Sequence, residues 1–387
     1  EEEGIFYWFE HEAGRHVMHF GDDRASHRPL DTDDILAFSR VEHGDREHVT
    51  DVVFRAQTTF GSAWARDWNW QIPDRTVDGQ SRNAQLTALE RYDHPAGATS
   101  MPGATRRARD VLQSYVAADH ILEGRSNCVR MAPGRTFDLT DCVPEYLARA
   151  WLLHSLDHQF EEHGHDERGR TLRRYRATFR AAPDNVEFRP MKRTPRPRVA
   201  GVESAVVTGP PGEEIHVDPW GRVKVHFYWD REGTTDDRAS CWIRTQQQNT
   251  SGAMIIPRIG WEVSVGFIHG DPDRPILLQK LYNQETLPPY EQPAHSTQTA
   301  LQSSTSPGGG ATNEIRLQDG NGGMEFFVHA SRNLNLVAEH DVGEHVAADA
   351  TEQVGQSLQT RVGSNETVSI GANQSVSVTG TCGENVG

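Results

Sequence analysis

The sequence predicts a mainly β chain with a minor α+β part. Three observations carry this reading: period-two alternation in the middle of the chain, one amphipathic helical stripe in its first half, and an eight-residue repeat at its end. A length of 387 residues, at roughly 150 per domain, predicts two or three domains. Hydrophobic residues make up only 36%, so the core is expected to be thin and spread over several small units.

Residues 1–190 read as an α+β domain. Gly4–Phe9 is an apolar, aromatic strand-like run. A helix is expected from Arg106 to Glu123, because Ala108, Val111, Leu112, Tyr115 and Val116 recur at spacings of three and four, and Gly124 is placed to stop it. Prolines at 190, 195 and 197 then stiffen an extended linker over 191–198.

Over 199–290 the period changes to two, which predicts a small β-barrel. Val223, Val225, Phe227 and Trp229 share one face, with Arg222, Lys224, His226 and Tyr228 on the other. Ile259, Trp261, Val263, Val265 and Phe267 form a second apolar alternation. The stretch Gly270–Pro275 reads as a turn, after which Ile276–Tyr282 resumes as a strand.

A Ser/Thr/Gln/Gly-rich linker over 291–310 leads into an acidic segment, 311–387. There Val346, Val354, Val362, Ile370, Val378 and Val386 recur at a fixed step of eight. Val368 and Val376, two residues before Ile370 and Val378, point to the same side as those. Each octad is a short strand plus a Gly/Asn turn and offers only one or two apolar side chains, so it must stack or associate. A single-chain solenoid and a three-chain prism with these residues on its axis both satisfy the period.

Composition excludes several function classes. The net charge of -16 opposes binding to nucleic acid or anionic membrane, and the longest basic cluster is only Met191–Arg198. No stretch approaches the roughly 20 apolar residues of a membrane-spanning helix, and Glu1–Gly4 lacks the features of a signal peptide. Cys128, Cys142, Cys241 and Cys382 are too sparse for a disulfide framework and lack zinc-ligand spacing, which fits folding in a reducing cytosol. The chain opens without Met on a strand-like run, so it is expected to lack an N-terminal part.

Two histidine groups invite a metal-enzyme reading. His11 and His16 are five apart, which on a helix leaves them about 140° from one another and unable to share a zinc. His154 and His158, with Asp157 between and His163 and His165 beyond, are the best metal candidate, although Glu161–Glu167 also reads as a solvated charged loop. No nucleophile elbow, P-loop or dinucleotide fingerprint is present.

Several motifs together resemble the VgrG family, the spikes of bacterial type VI secretion systems, which are similar to contractile phage tail hubs and spikes. They are the run Asp218–Asp230 (DPWGRVKVHFYWD), then Ile256–Val263 and Gly270–Ile276, then Asn313–Leu317, His329–Asn335 and the octads. Upstream, Glu3–Phe9, Tyr92–Pro95, Ala132–Phe137 and Phe188–Pro190 are similar to the hub-like region. The resemblance implies a partial phage-hub-like domain, an OB-type β-barrel and a C-terminal intertwined trimeric β-helix. It further implies a homotrimer whose base docks on an Hcp tube ring and whose tip takes a PAAR-type cap and effectors. Such a spike works mechanically, with no enzymatic activity, cofactor or metal, and with neither nucleic-acid binding nor stable membrane insertion. It is assembled in the bacterial cytoplasm and then secreted into a target cell or the extracellular space. Two features depart from the family pattern: the loop Gln246–Ala253, and the degraded octad at Thr379–Gly383. The alternatives are a metal-dependent hydrolase using His154 and His158, and a monomeric β-solenoid adhesin.

Overall fold

The computed structural model describes every residue except 31–34, 40–45, 84–86, 143, 166–170 and 384–387. In chain order its elements begin with β1 (Phe6–Glu12), β2 (Arg15–Gly21), β3 (Arg28–Pro29), β4 (Ile35–Ala37), β5 (Val49–Ala56), β6 (Ser62–Trp68), β7 (Thr76–Arg82) and β8 (Glu90–Asp93). Then come α1 (Met101–Ala117), β9 (His120–Ser126), β10 (Arg135–Thr140), β11 (Ala150–His165) and β12 (Thr171–Pro183). The remainder is β13 (Val202–Thr208), β14 (Lys224–Phe227), β15 (Arg244–Thr245), β16 (Glu262–Phe267), β17 (Pro275–Lys280), β18 (Gln298–Gln302), β19 (Glu314–Gln318) and β20 (Glu325–His329). Two compact units result, one from residues 1–203 and 265–278, the other from 204–264 and 279–387.

The first unit is built on a sheet of order β3-β10-β11-β12-β9-β5, with β4 also paired to β10. One face buries Leu122, Phe137, Leu139, Trp151, Leu153 and Phe179. Gly124 lies in β9, where a Cβ would stand 2.4 Å from the Phe179 ring, so its absent side chain makes room for the phenyl group rather than stopping a helix. The helix accordingly starts and ends earlier than the expected Arg106–Glu123. Ser100 caps it by accepting from the Gly103 N–H, and Pro102 sits in the first turn, where it costs no hydrogen bond. Residues 120–126 pair instead with β5 and β12.

A smaller sheet, β7-β6-β8, packs against α1 through Ala63, Ala65, Val77, Ala104, Ala108 and Leu112. At Gly79 a Cβ would lie 2.0 Å from the Thr105 nitrogen, so only glycine allows strand and helix backbones to approach this closely.

Two corrections concern histidines. The segment around His11 and His16 is a β-hairpin closed by Gly14 at φ +82°, not a helix. The two residues are cross-strand partners with Nδ1 atoms 2.7 Å apart. His154 and His158 lie on the long strand β11, which also continues through the expected charged loop as far as His165. At about 3.3 Å per residue, four strand residues span roughly 13 Å, too far for one metal ion. The His163 and His165 side chains lie outside what is described.

Two of the four basic side chains in 191–198, Lys192 and Arg196, are paired within the first unit. Glu1 accepts from the Arg193 and Thr194 N–H groups at 2.9 and 3.0 Å. Glu2 bridges Lys192 and Arg196, and hydrogen bonding to Arg196 pulls its carboxyl down to about 2.

Residues 265–278 join the first unit through Arg274. Its guanidinium donates to both carboxylate oxygens of Asp67 at 2.8 Å each. Asp67 is 1% exposed and also accepts from the N–H groups of Trp68, Gly97 and Ala98. Burial alone would raise its pKa, but these donors hold it below the ordinary carboxylate range. Asp67→Ala should strand Arg274 and three backbone donors and cost about 3 kcal/mol or more in a denaturant unfolding transition of the first unit.

Candidate assembly surface

The strands of the expected barrel form one sheet of order β14-β13-β16-β17-β15. Asp218 explains the start of the Asp218–Asp230 run. It accepts from the N–H groups of Trp220 and Arg222 and from Arg222 Nε at 2.7 Å, while Gly221 takes φ +72° to complete the turn. Val223, Val225, Val263 and Val265 are fully buried in the sheet. Phe227, Ile259, Trp261 and Phe267 are half-buried. Trp229, expected inside, is 64% exposed, because β14 ends at Phe227 and a turn from the Asp230 N–H back to the Phe227 carbonyl swings the indole outward.

Beyond it, β18, β19 and β20 form an antiparallel meander, with β18 drawn from the expected linker 291–310. Its two faces differ sharply. On one, Glu314 is buried with Tyr290, and Arg316 donates to the Tyr290 hydroxyl at 2.9 Å and to Glu325 at 2.7 Å. On the other, Leu301, Ile315, Leu317, Phe326 and Val328 are all exposed. Their two-residue spacing was visible in the sequence, but five-residue strands flanked by Gly and Ser gave no boundary signal strong enough to separate them from linker.

From residue 331 the chain is extended, with two-residue bends at 331–332, 339–340, 347–348, 355–356, 363–364, 371–372 and 379–380. The backbone thus repeats the eight-residue period of the sequence, and extends it two steps further upstream. Ala330 and Ala338 occupy the pre-bend positions there, too small to register as an apolar row. Val346, Val354, Val362, Ile370 and Val378 each immediately precede a bend and are about half exposed, while Val368 and Val376 are 69% and 74% exposed. Val386 lies outside the described residues.

Among the described residues, none in 332–383 makes a backbone hydrogen bond, and no octad pairs with another. Among the described residues the run leaves its N–H and C=O groups open and a row of Val, Ile and Leu exposed, and it does not close on itself as a solenoid. What it can do is pair with other chains along its length, burying the row and the meander's apolar face together.

Comparison with known proteins is consistent with these three regions. The family model for the phage tail baseplate hub (GPD) matches residues 1–164. The model for the type VI secretion system/phage-baseplate injector OB domain matches 213–282, and that for the bacteriophage T4 gp5 C-terminal trimerisation domain matches 299–387. Type VI secretion system spike protein VgrG1b of Pseudomonas aeruginosa is 33% identical over 368 residues, 92% of this chain and 49% of that protein. VgrG5 of the same organism is 36% identical over 357 residues, covering 88% and 45%. The actin cross-linking toxin VgrG1 of Vibrio cholerae is 31% identical over 88% of this chain but only 32% of its own length. The chain therefore spans about half the length of the first two. The E. coli c3393 protein, described as a type VI secretion component similar to T4 tail proteins gp27 and gp5, aligns with a TM-score of 0.46 at 21% identity, over 73% of this chain and 57% of that one. That likeness is too loose to bear on the assignment.

Val362→Asp puts a carboxylate in the pre-bend row at every copy. It should abolish self-association and make the tail as protease-sensitive as an unfolded chain, as read by light scattering and timed proteolysis. Unchanged mass and tail resistance would remove Val362 from the buried row.

Proposed function

Because the chain belongs to the VgrG family of type VI secretion spike proteins, we propose that it forms the body of a puncturing spike as an intertwined homotrimer that works mechanically rather than catalytically. The observation that carries this reading is the octad tail, whose unpaired backbone and apolar row are complete only when copies of the chain stack in register. Each buried Val or Ile in that row contributes on the order of 1.5 to 3 kcal/mol, added by every chain at every level. A rod so built distributes an axial load over many equivalent hydrogen bonds and has no single weak element.

On this reading the axial set is Val346, Val354, Val362, Val368, Ile370, Val376, Val378 and Val386. The hub-like base docks on a ring of the tube protein Hcp, and the needle end receives a PAAR-type tip and effectors. The spike assembles in the bacterial cytoplasm and leaves by secretion. Among the described residues, no helix is long and apolar enough to cross a membrane.

Absolute mass by light scattering in reducing buffer tests the trimer, which should give 3 × 43.3 = 129.9 kDa. A mass of 43.3 kDa would overturn it. Mixing the trimer with preformed Hcp rings should give a co-sedimenting complex of one trimer per ring. Failure of a verified trimer to bind rings would reject the docking while leaving the spike architecture standing.

A further inference from the structure

Among the described residues the β1–β2 hairpin forms a two-stranded sheet that pairs with no other strand. Its inner face is held by a cage of rings. Phe6 stacks on His27 with centroids 4.9 Å apart, and Trp8 stacks on His19 at 5.3 Å. Phe188 meets Phe6 edge-on at 5.6 Å and stacks on His154 at 5.6 Å. Gly134 completes the wall, where a Cβ would stand 2.7 Å from the Trp8 indole.

Two histidines in this cage are unusual. Both ring nitrogens of His27, and Nε2 of His154, are buried without a hydrogen-bond partner in the protein. The Gly134 backbone lies near His27 without closing a bond of good geometry. A cavity of about 30 Å³ touches both imidazoles along with Phe6, Trp8 and Phe188, room for about one water. One water can serve two neutral imidazoles, each offering an acceptor. It cannot solvate two imidazolium ions.

We propose that His27 and His154 form an acid-opened latch: neutral, they let the ring cage close and seat the hairpin, and protonated, they drive Phe6 and Trp8 out and free residues 6–21. Burial pulls His154 down to about 4, with Arg180 of β12 and Arg193 adding repulsion. Burial also lowers His27, opposed by the Gly134 backbone, Asp184 and Asp23 and assisted by Arg24. On the hairpin side the charged and titratable groups are Glu10, which pairs with His19 and Arg135, the Glu12–Arg15 pair, and His11 and His16, which contact each other at the far end of the hairpin. Both histidines have folded pKa values below their unfolded ones, so the closed state is fully favoured above about pH 6.5 and loses stability as pH falls toward 4. Outside the cage the ion pair from the hairpin to another element is Glu10 to Arg135, while Glu1 to Gly4 just before it stay tied to Lys192, Arg193, Arg196, Arg106, Arg107 and Arg189, so opening frees residues 6–21 and leaves residues 1–4 seated.

Hydrogen exchange on the full chain, corrected for intrinsic rates and read by mass spectrometry between pH 7.5 and 4.5, tests this. Residues 6–21 should lose protection by roughly tenfold to a hundredfold, while β13 and β14 keep theirs. The double variant His27→Phe/His154→Phe keeps the rings without the protons, and its hairpin should stay protected at pH 4.5. Since Glu10, His11, His16 and His19 are intact in that variant, acid loss persisting there would assign the effect to the hairpin's own ionisable groups and overturn the latch. So would a wild-type hairpin equally protected at both ends of the range, or one that opens only together with the rest of its unit. If the double variant does not fold, His154→Phe alone should move the opening midpoint to lower pH, and an unmoved midpoint would rule His154 out.

Discussion

Every extended backbone must place its N–H and C=O groups somewhere, and this chain meets that demand in two opposite ways. The hub-like part meets it internally: β11 and β12 pair along almost their whole length, and β9, β5 and β10 close around them. The tail does not meet it at all within one chain. The contrast accounts for the exposed apolar residues of the tail, which no other segment of the described chain covers.

The Asp67–Arg274 pair shows how the chain fixes a distant segment without a large apolar contact. A buried carboxylate with five donors has one geometry that satisfies it. Arg274 is delivered by a tight turn in which Asp271 accepts from the Asp273 N–H and Gly270 takes φ +70°. The Gly-Asp-Pro-Asp-Arg-Pro stretch thus reads in the sequence as a turn, while its partner, some 200 residues earlier, left no trace there.

What the sequence revealed was what is periodic. The alternation at Val223 and Val225 and at Val263 and Val265, and the octads, follow directly from side-chain geometry. What it hid depends on contacts distant in sequence. Ala118 to Glu123 would continue a helix on local preference, yet pairing with β5 and β12 makes residues 120–126 a strand. Gly124 looked like a stop signal but serves Phe179. The His11–His16 spacing was measured against a helix when aromatic, strand-favouring neighbours and Gly14 made it a hairpin. Trp229 followed its alternation one step past the point where the strand ends.

The bend every eight residues also governs how such a tail can change its length over generations. Eight is even, so a duplicated octad returns each side chain to its own face and each bend to its own phase. A gain or loss of seven or nine residues would turn every downstream row inside out. The length changes that keep the row and the bends in phase are therefore whole periods of eight residues.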